Sequence, residues 1–271
     1  MRPYAVTLFQ NPENFELAMF FYGEILGLPD GLEIGEGCVR FFNEPVHLAV
    51  QVRSPSDNGA KTEGFSGVQL NYVPGAYLNP IVAKQRATGL AQPEPREVGD
   101  SRILSVHDPS GNILMLVGTD VAPDEPTVET AVGSITVFVS DFEVAHSFYT
   151  ETLKLRVRAE PHPGLLVLGG ETGTAILVYK VEPGAVDTPI GRNTGLAFAA
   201  DNIAKVVDDI RKSLGEIVDL AESLDGIRAA TFSDPEGNVF TLLSDQNLAD
   251  EPVATEETQD EDERDDETNG E

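Results

Sequence analysis

Asp108-Pro109-Ser110-Gly111-Asn112 and Asp234-Pro235-Glu236-Gly237-Asn238 are one pattern written twice, 126 residues apart. Its chemistry is that of a tight turn: proline presets φ, and glycine or asparagine accepts positive φ. The surroundings repeat as well. Arg102 and Arg228 each stand six residues before the Asp. Upstream, Phe21-Tyr22 with Leu26 and Leu28 returns as Phe148-Tyr149 with Leu153 and Leu155, at an offset of 127. Anchors that hold one spacing at both ends of a long segment mark a duplicated structural unit.

The duplication divides the chain into a unit over residues 1–118, a linker over 119–130, a second unit over 131–246 and a tail over 247–271. The linker reads TDVAPDEPTVET, with two prolines, four acids and no apolar period. The tail is polar and acidic and is expected to be disordered. Within the second unit, SITVFVS (Ser134 to Ser140) alternates as a strand does, and Asp141 can cap a helix. That helix carries Phe142, Ala145, Phe148, Tyr149 and Leu153 at helical spacing. Strands over 164–168 and 175–181 follow, then a strand over 195–199, a helix from Asp201, and strands over 227–232 and 239–243 around the repeated turn. The first unit has strands over 6–10, 38–42, 46–52, 68–72, 102–106 and 113–117. Its helices span 14–26 and the segment capped by Asn79, with Pro80 at its first position. Each unit thus reads as β-α-β-β-β twice, an α+β architecture of four modules.

Composition bounds the function. The 271 residues are 41% hydrophobic, enough for two cores, and no apolar run is long enough to span a membrane. The formal net charge is −28, of which the segment from Asp250 onward supplies −11, leaving −17 on the body. Only 6 of the 18 basic residues are lysine. Such a surface predicts a protein kept soluble in concentrated salt, in a halophilic cytoplasm. It argues against nucleic acid and membrane partners, which need a clustered basic face. The single cysteine, Cys38, excludes an intramolecular disulfide and reads as packing.

Asp-Phe-x-x-Ala-x-x-Phe-Tyr-x-x-x-Leu (Asp141 to Leu153), Gly-Leu-Ala-Phe (Gly195 to Phe198) and the strand after Asp-Pro-x-Gly-Asn together resemble the vicinal oxygen chelate superfamily. This is the glyoxalase, bleomycin resistance protein and extradiol dioxygenase group. The resemblance covers both units and implies tandem βαβββ modules pairing into two cup-shaped mixed sheets. It also implies a divalent metal in the cup, held by His and Glu, that chelates vicinal oxygens of a substrate. Carried over residue by residue, the ligand positions fall on Ser134, Val178, Gly195 and Thr241. In the first unit they fall near Thr7 (or Ala5), Ala49, Gly67 and Met115. None is His, Glu or Asp, so no metal cofactor is expected; Fe(II) or another divalent ion is the alternative. His47 alone lies beside a ligand position, while His107, His146 and His162 read as turn, helix-surface and loop residues.

Two functions follow. The first is a metal-free binder that holds a small, partly apolar molecule at the former ligand positions Ser134, Val178, Gly195 and Thr241. The second is a metal-dependent enzyme with an atypical site, catalysing catechol-type ring cleavage or a lactoylglutathione lyase-like reaction. Arg102 and Arg228 read as structural, though an anion in each cup is the other option. A small molecule is the expected partner; self-association stays open.

Overall fold

The computed structural model describes residues 1–29, 31–42, 46–52, 64–72, 78–88, 94–119, 130–171, 173–182, 194–223 and 226–245. The tail, and the expected linker between residues 120 and 129, lie outside the described residues. Four β-α-β-β-β modules follow one another. The first holds β1 (Arg2–Gln10), α1 (Phe15–Phe20), β2 (Leu32–Gly35), β3 (Cys38–Phe42) and β4 (His47–Val52). The second holds β5 (Gly64–Tyr72), α2 (Leu78–Ala87), β6 (Arg96–Val98), β7 (Ser101–His107) and β8 (Asn112–Thr119). The third holds β9 (Ala131–Val139), α3 (Phe142–Ser147), β10 (Val157–His162), β11 (Leu165–Leu168) and β12 (Ala175–Lys180). The fourth holds β13 (Thr194–Ala200), α4 (Ile203–Arg211), β14 (Glu216–Ser223), β15 (Gly226–Ser233) and β16 (Val239–Ser244).

The modules do not pair with their sequence neighbours inside a unit. Sheet one runs β14-β15-β16-β13-β1-β4-β3-β2 and joins the first module to the fourth. Sheet two runs β10-β11-β12-β9-β5-β8-β7-β6 and joins the second to the third. The seams are antiparallel, β1 with β13 and β5 with β9, whereas each module's first and last strands run parallel. Each cup is therefore shared between the two sequence units.

Alternation explains the layering. In β1, Val6, Leu8 and Gln10 are buried while Ala5, Thr7 and Phe9 face the other way. In β16, Phe240 and Leu242 are buried while Val239, Thr241 and Leu243 are not. The buried faces meet the helices in one continuous core. Side-chain caps start two helices: Asp141 accepts from the Val144 N–H, and Asn202 from the Lys205 N–H. α1 and α3 each end in a π-helical turn, over Phe21–Ile25 and Phe148–Thr152, that buries the repeated Phe-Tyr pair.

The repeated turns lock the two sheets together. Asp108 Oδ1 accepts from the N–H groups of Ser110 and Asn112. Its Oδ2 accepts from Asn112 Nδ2, Tyr22 Oη and Gln10 Nε2. Asp234 repeats this with Glu236 N, Asn238 N, Asn238 Nδ2 and, at 2.7 Å, Tyr149 Oη. Asn112 Nδ2 also donates to the Phe9 carbonyl, and Asn238 Nδ2 to the Phe138 carbonyl. Each turn closes a strand of one sheet and grips the first strand of the other. Burial, then the adjacent carboxylate, pushes Tyr22 and Tyr149 far above the usual phenol range. These groups are structural. Arg102 Nη1 donates to Asn79 Oδ1 at 2.9 Å, so Asn79, inside α2, meets an arginine where a helix cap was expected.

Candidate functional site

Strand alternation decides which side chains each cup receives. In sheet one, Thr7 is in register with Gly195 on one side and Ala49 on the other. Ala197 is in register with Thr241, and Thr241 with Thr231. A methyl group on Gly195 would rest 3.4 Å from the Phe9 ring and 3.5 Å from Thr7 Cβ, ordinary contact. The floor of this cup is thus mostly alanine, glycine and threonine, with Phe9 beside Gly195 and Arg40 in register with Ala49. His47, in register with Ala5, shares that face, with its ring edge-on to Tyr4 at a centroid distance of 4.4 Å. Cys38 lies on β3, in register with Gln51; burial pushes its thiol up, against the pull of Arg40, which disfavours a thiolate nucleophile.

The four positions carried over from the resemblance do not meet. Gly195 and Thr241 stand in sheet one, Ser134 and Val178 in sheet two. Val178 is 0% exposed in the core, beside Ile176, so Leu177 and Tyr179 are the β12 residues on the cup side. The expected register is one residue out there, and a slip of one exchanges the faces. Gly67 sits at φ +76° in an irregular stretch of β5, where a Cβ would come 2.5 Å from the Thr136 carbonyl oxygen. Met115 is in register with Gln69.

A bulge builds the polar end of the cup in sheet two. The β5–β9 register runs Gln69 with Ser134 and then jumps to Leu70 with Val132. Gly133 is the extra residue, so Val132 and Ile135 both reach the core while Ser134 shares the face of Gln69. A Cβ there would fall 2.3 Å from the amide of Asn71, so a larger residue must push that amide aside. Gln69 Nε2 donates to Asn71 Oδ1 at 3.0 Å. Ser134 is 5% exposed, and its hydroxyl has no hydrogen-bond partner among the described residues. Further along the face lie Thr136, Leu177, and Phe138 packed edge-on against Tyr179 at 6.3 Å between centroids. Ser134 and Phe138 are four residues apart on β9, about 13 Å at the rise of a strand.

Sequence reasoning reached Ser134 but passed over Gln69 and Asn71. The signal was present in Val68-Gln69-Leu70-Asn71-Tyr72, whose apolar members are buried and whose amides alternate onto the opposite face.

The donor sets do not suit a divalent ion. The cup of sheet one offers Thr7, Ala49, Gly195 and Thr241, with His47 further along the face, and that of sheet two Gln69, Met115, Ser134 and Leu177, with His107 further along; one imidazole per face is no ligand set. Hydroxyl, amide and thioether groups are weak ligands beside imidazole and carboxylate. Among the described residues no three of His, Cys, Asp and Glu cluster in a way that could hold a metal.

Residues 131–242 match the sequence model of the Glyoxalase/Bleomycin resistance protein/Dioxygenase superfamily. That segment carries the sequence of this superfamily. A likeness in fold extends over about nine tenths of the chain. Glyoxalase I from Zea mays matches with a TM-score of 0.66 at 17% identity, over 92% of this chain and 94% of that one. A Bacillus subtilis protein provisionally described as a dioxygenase matches with a TM-score of 0.58 at 15% identity, over 90% and 85%. The cppA protein of Streptococcus pneumoniae matches with a TM-score of 0.54 at 11% identity, over 90% and 98%. At these identities the superfamily likeness speaks for the fold alone. No curated protein sequence matches the chain. No helix among the described residues is long and apolar enough to cross a membrane.

Proposed function

We propose that this chain binds a small, partly apolar molecule in the cup of sheet two, without a metal cofactor. The buried, uncommitted hydroxyl of Ser134 carries this reading. An unpaired buried hydroxyl costs about 1–3 kcal/mol, and a ligand that pairs with it recovers that cost. Met115, Leu177, Phe138 and Tyr179 supply apolar walls, and Gln69 and Asn71 the few polar anchors typical of small-molecule sites. The working environment is proposed to be a salt-rich cytoplasm, from the charge of −28 and the scarcity of lysine.

The test is metal analysis of the purified chain together with a thermal-shift screen of aromatic probes. Substoichiometric Fe, Mn, Zn and Ni is expected, with probe stabilisation abolished by Leu177→Arg and kept by Thr241→Arg, which fills the other cup. Stoichiometric metal, with turnover of a catechol or hemithioacetal lost on chelation, would replace this reading with the metal-dependent enzyme.

A further inference from the structure

Resting on the reading of sheet two as the binding cup, we infer that its ligand carries a neutral amide-type group, a carboxamide, lactam or imide, seated against Gln69 and Asn71. The argument begins with charge. Strands β5, β8 and β9, which form the floor, contain no Asp, Glu, Lys or Arg, and β12 has Lys180 alone at its end. On these floor strands a carboxylate ligand would meet no cation and an ammonium no carboxylate; Arg96, His107 and His162 share the face only on the outer strands β6, β7 and β10. Burying an unpaired charge costs far more than burying a neutral polar group.

Neutral groups can still be sorted by their hydrogen bonds. Gln69 and Asn71 spend one donor and one acceptor on each other, across 3.0 Å. Oxygen and nitrogen of a side-chain amide can be exchanged by a flip, yet the count survives the exchange. In one orientation Gln69 Oε1 and Asn71 Nδ2 remain; in the other, Gln69 Nε2 and Asn71 Oδ1 remain. Either way the pair keeps N–H donors and carbonyl acceptor capacity beyond the one bond it shares. A group that both accepts and donates, as the edge of an amide does, can pair with both kinds of site. Ser134 Oγ, uncommitted beside Gln69, adds a hydroxyl that can serve as either. Gly133 is what permits this arrangement, since any larger residue would displace the Asn71 amide.

Three probes of equal size separate the possibilities: benzamide, benzoate and benzylamine, which are neutral, anionic and cationic near neutral pH. Benzyl alcohol is the neutral control without an amide. Binding to the full chain is measured by calorimetry in 2 M KCl, where long-range repulsion by the acidic surface is screened to a few ångströms. Benzamide is expected to bind at least about tenfold tighter than the other three, because a site built to pair polar groups rejects analogues that leave them unpaired. Gln69→Leu should remove that preference while benzyl alcohol binding stays unchanged, and Gln69→Glu should shift it toward benzylamine. Equal or tighter binding of benzoate, benzylamine or benzyl alcohol, still blocked by Leu177→Arg, would overturn the amide inference and leave the metal-free cup standing. Failure of all four probes to bind in a Leu177→Arg-sensitive manner would overturn both.

Discussion

Replacing Tyr149 with phenylalanine isolates one contact that the duplicated turn makes with the rest of the fold. Tyr149 Oη donates to Asp234 Oδ2 at 2.7 Å, and both residues are buried. After the substitution the carboxylate keeps Glu236 N, Asn238 N and Asn238 Nδ2, so no orphaned acceptor is created. What is lost is one hydrogen bond to a charged group, worth about 1.5–3 kcal/mol. For a chain of this size, a loss of about 2 kcal/mol lowers Tm by roughly 4–8 °C. The pH dependence sharpens the test. Burial pushes the Asp234 carboxyl above its ordinary range, while its hydrogen bonds with Asn238, Tyr149 and Glu236 pull it down. A raised folded pKa means that this group's contribution to stability is fully present below the unfolded value, about 3.9. It is lost as pH rises through the folded pKa. Tyr149 favours the charged carboxylate, so its hydroxyl is worth more at pH 7.5 than at pH 4. Urea unfolding of Tyr149→Phe beside the parent, in constant KCl, should show the larger deficit at pH 7.5. A deficit below about 0.5 kcal/mol, or equal deficits at both pH values, would refute this account of the turn.

Two other expectations concern the cup and the surface. Gly133→Ala should cost about 1–3 kcal/mol by driving a methyl into the Asn71 amide. Adding Asn71→Ala should recover most of that cost in thermal denaturation, and no recovery would mean that the clash lies elsewhere. Tm should rise steadily from 0.1 to 2 M KCl as the repulsion among 46 acidic residues is screened. A flat profile would remove the ground for salt adaptation.

The elements that the sequence revealed are those with a buried face. β1, β9, β13 and β16 alternate between core and cup, and their apolar residues recur at the spacing expected of strands. β2, β6, β10 and β14 did not emerge as separate strands, because they are the edges of their sheets. β2, β6 and β10 are exposed along their whole length, so no buried face writes a pattern into them. The site was legible in part. Ser134 follows from the resemblance, whereas Val178 was drawn to a cup position that the register gives to Leu177.

By itself, the sequence determined what is local or repeated: turn chemistry, the Asp141 cap, the module rhythm and the net charge. Tertiary structure decided the partnership of first with fourth and second with third modules, and with it the separation of Ser134 from Thr241 into different cups. It also decided the bulge at Gly133 that sets Ser134 beside two amides. The physical reason is range. Turns and caps are settled by neighbours within a few residues, while seam strands choose among partners of similar alternation through packing across the whole core.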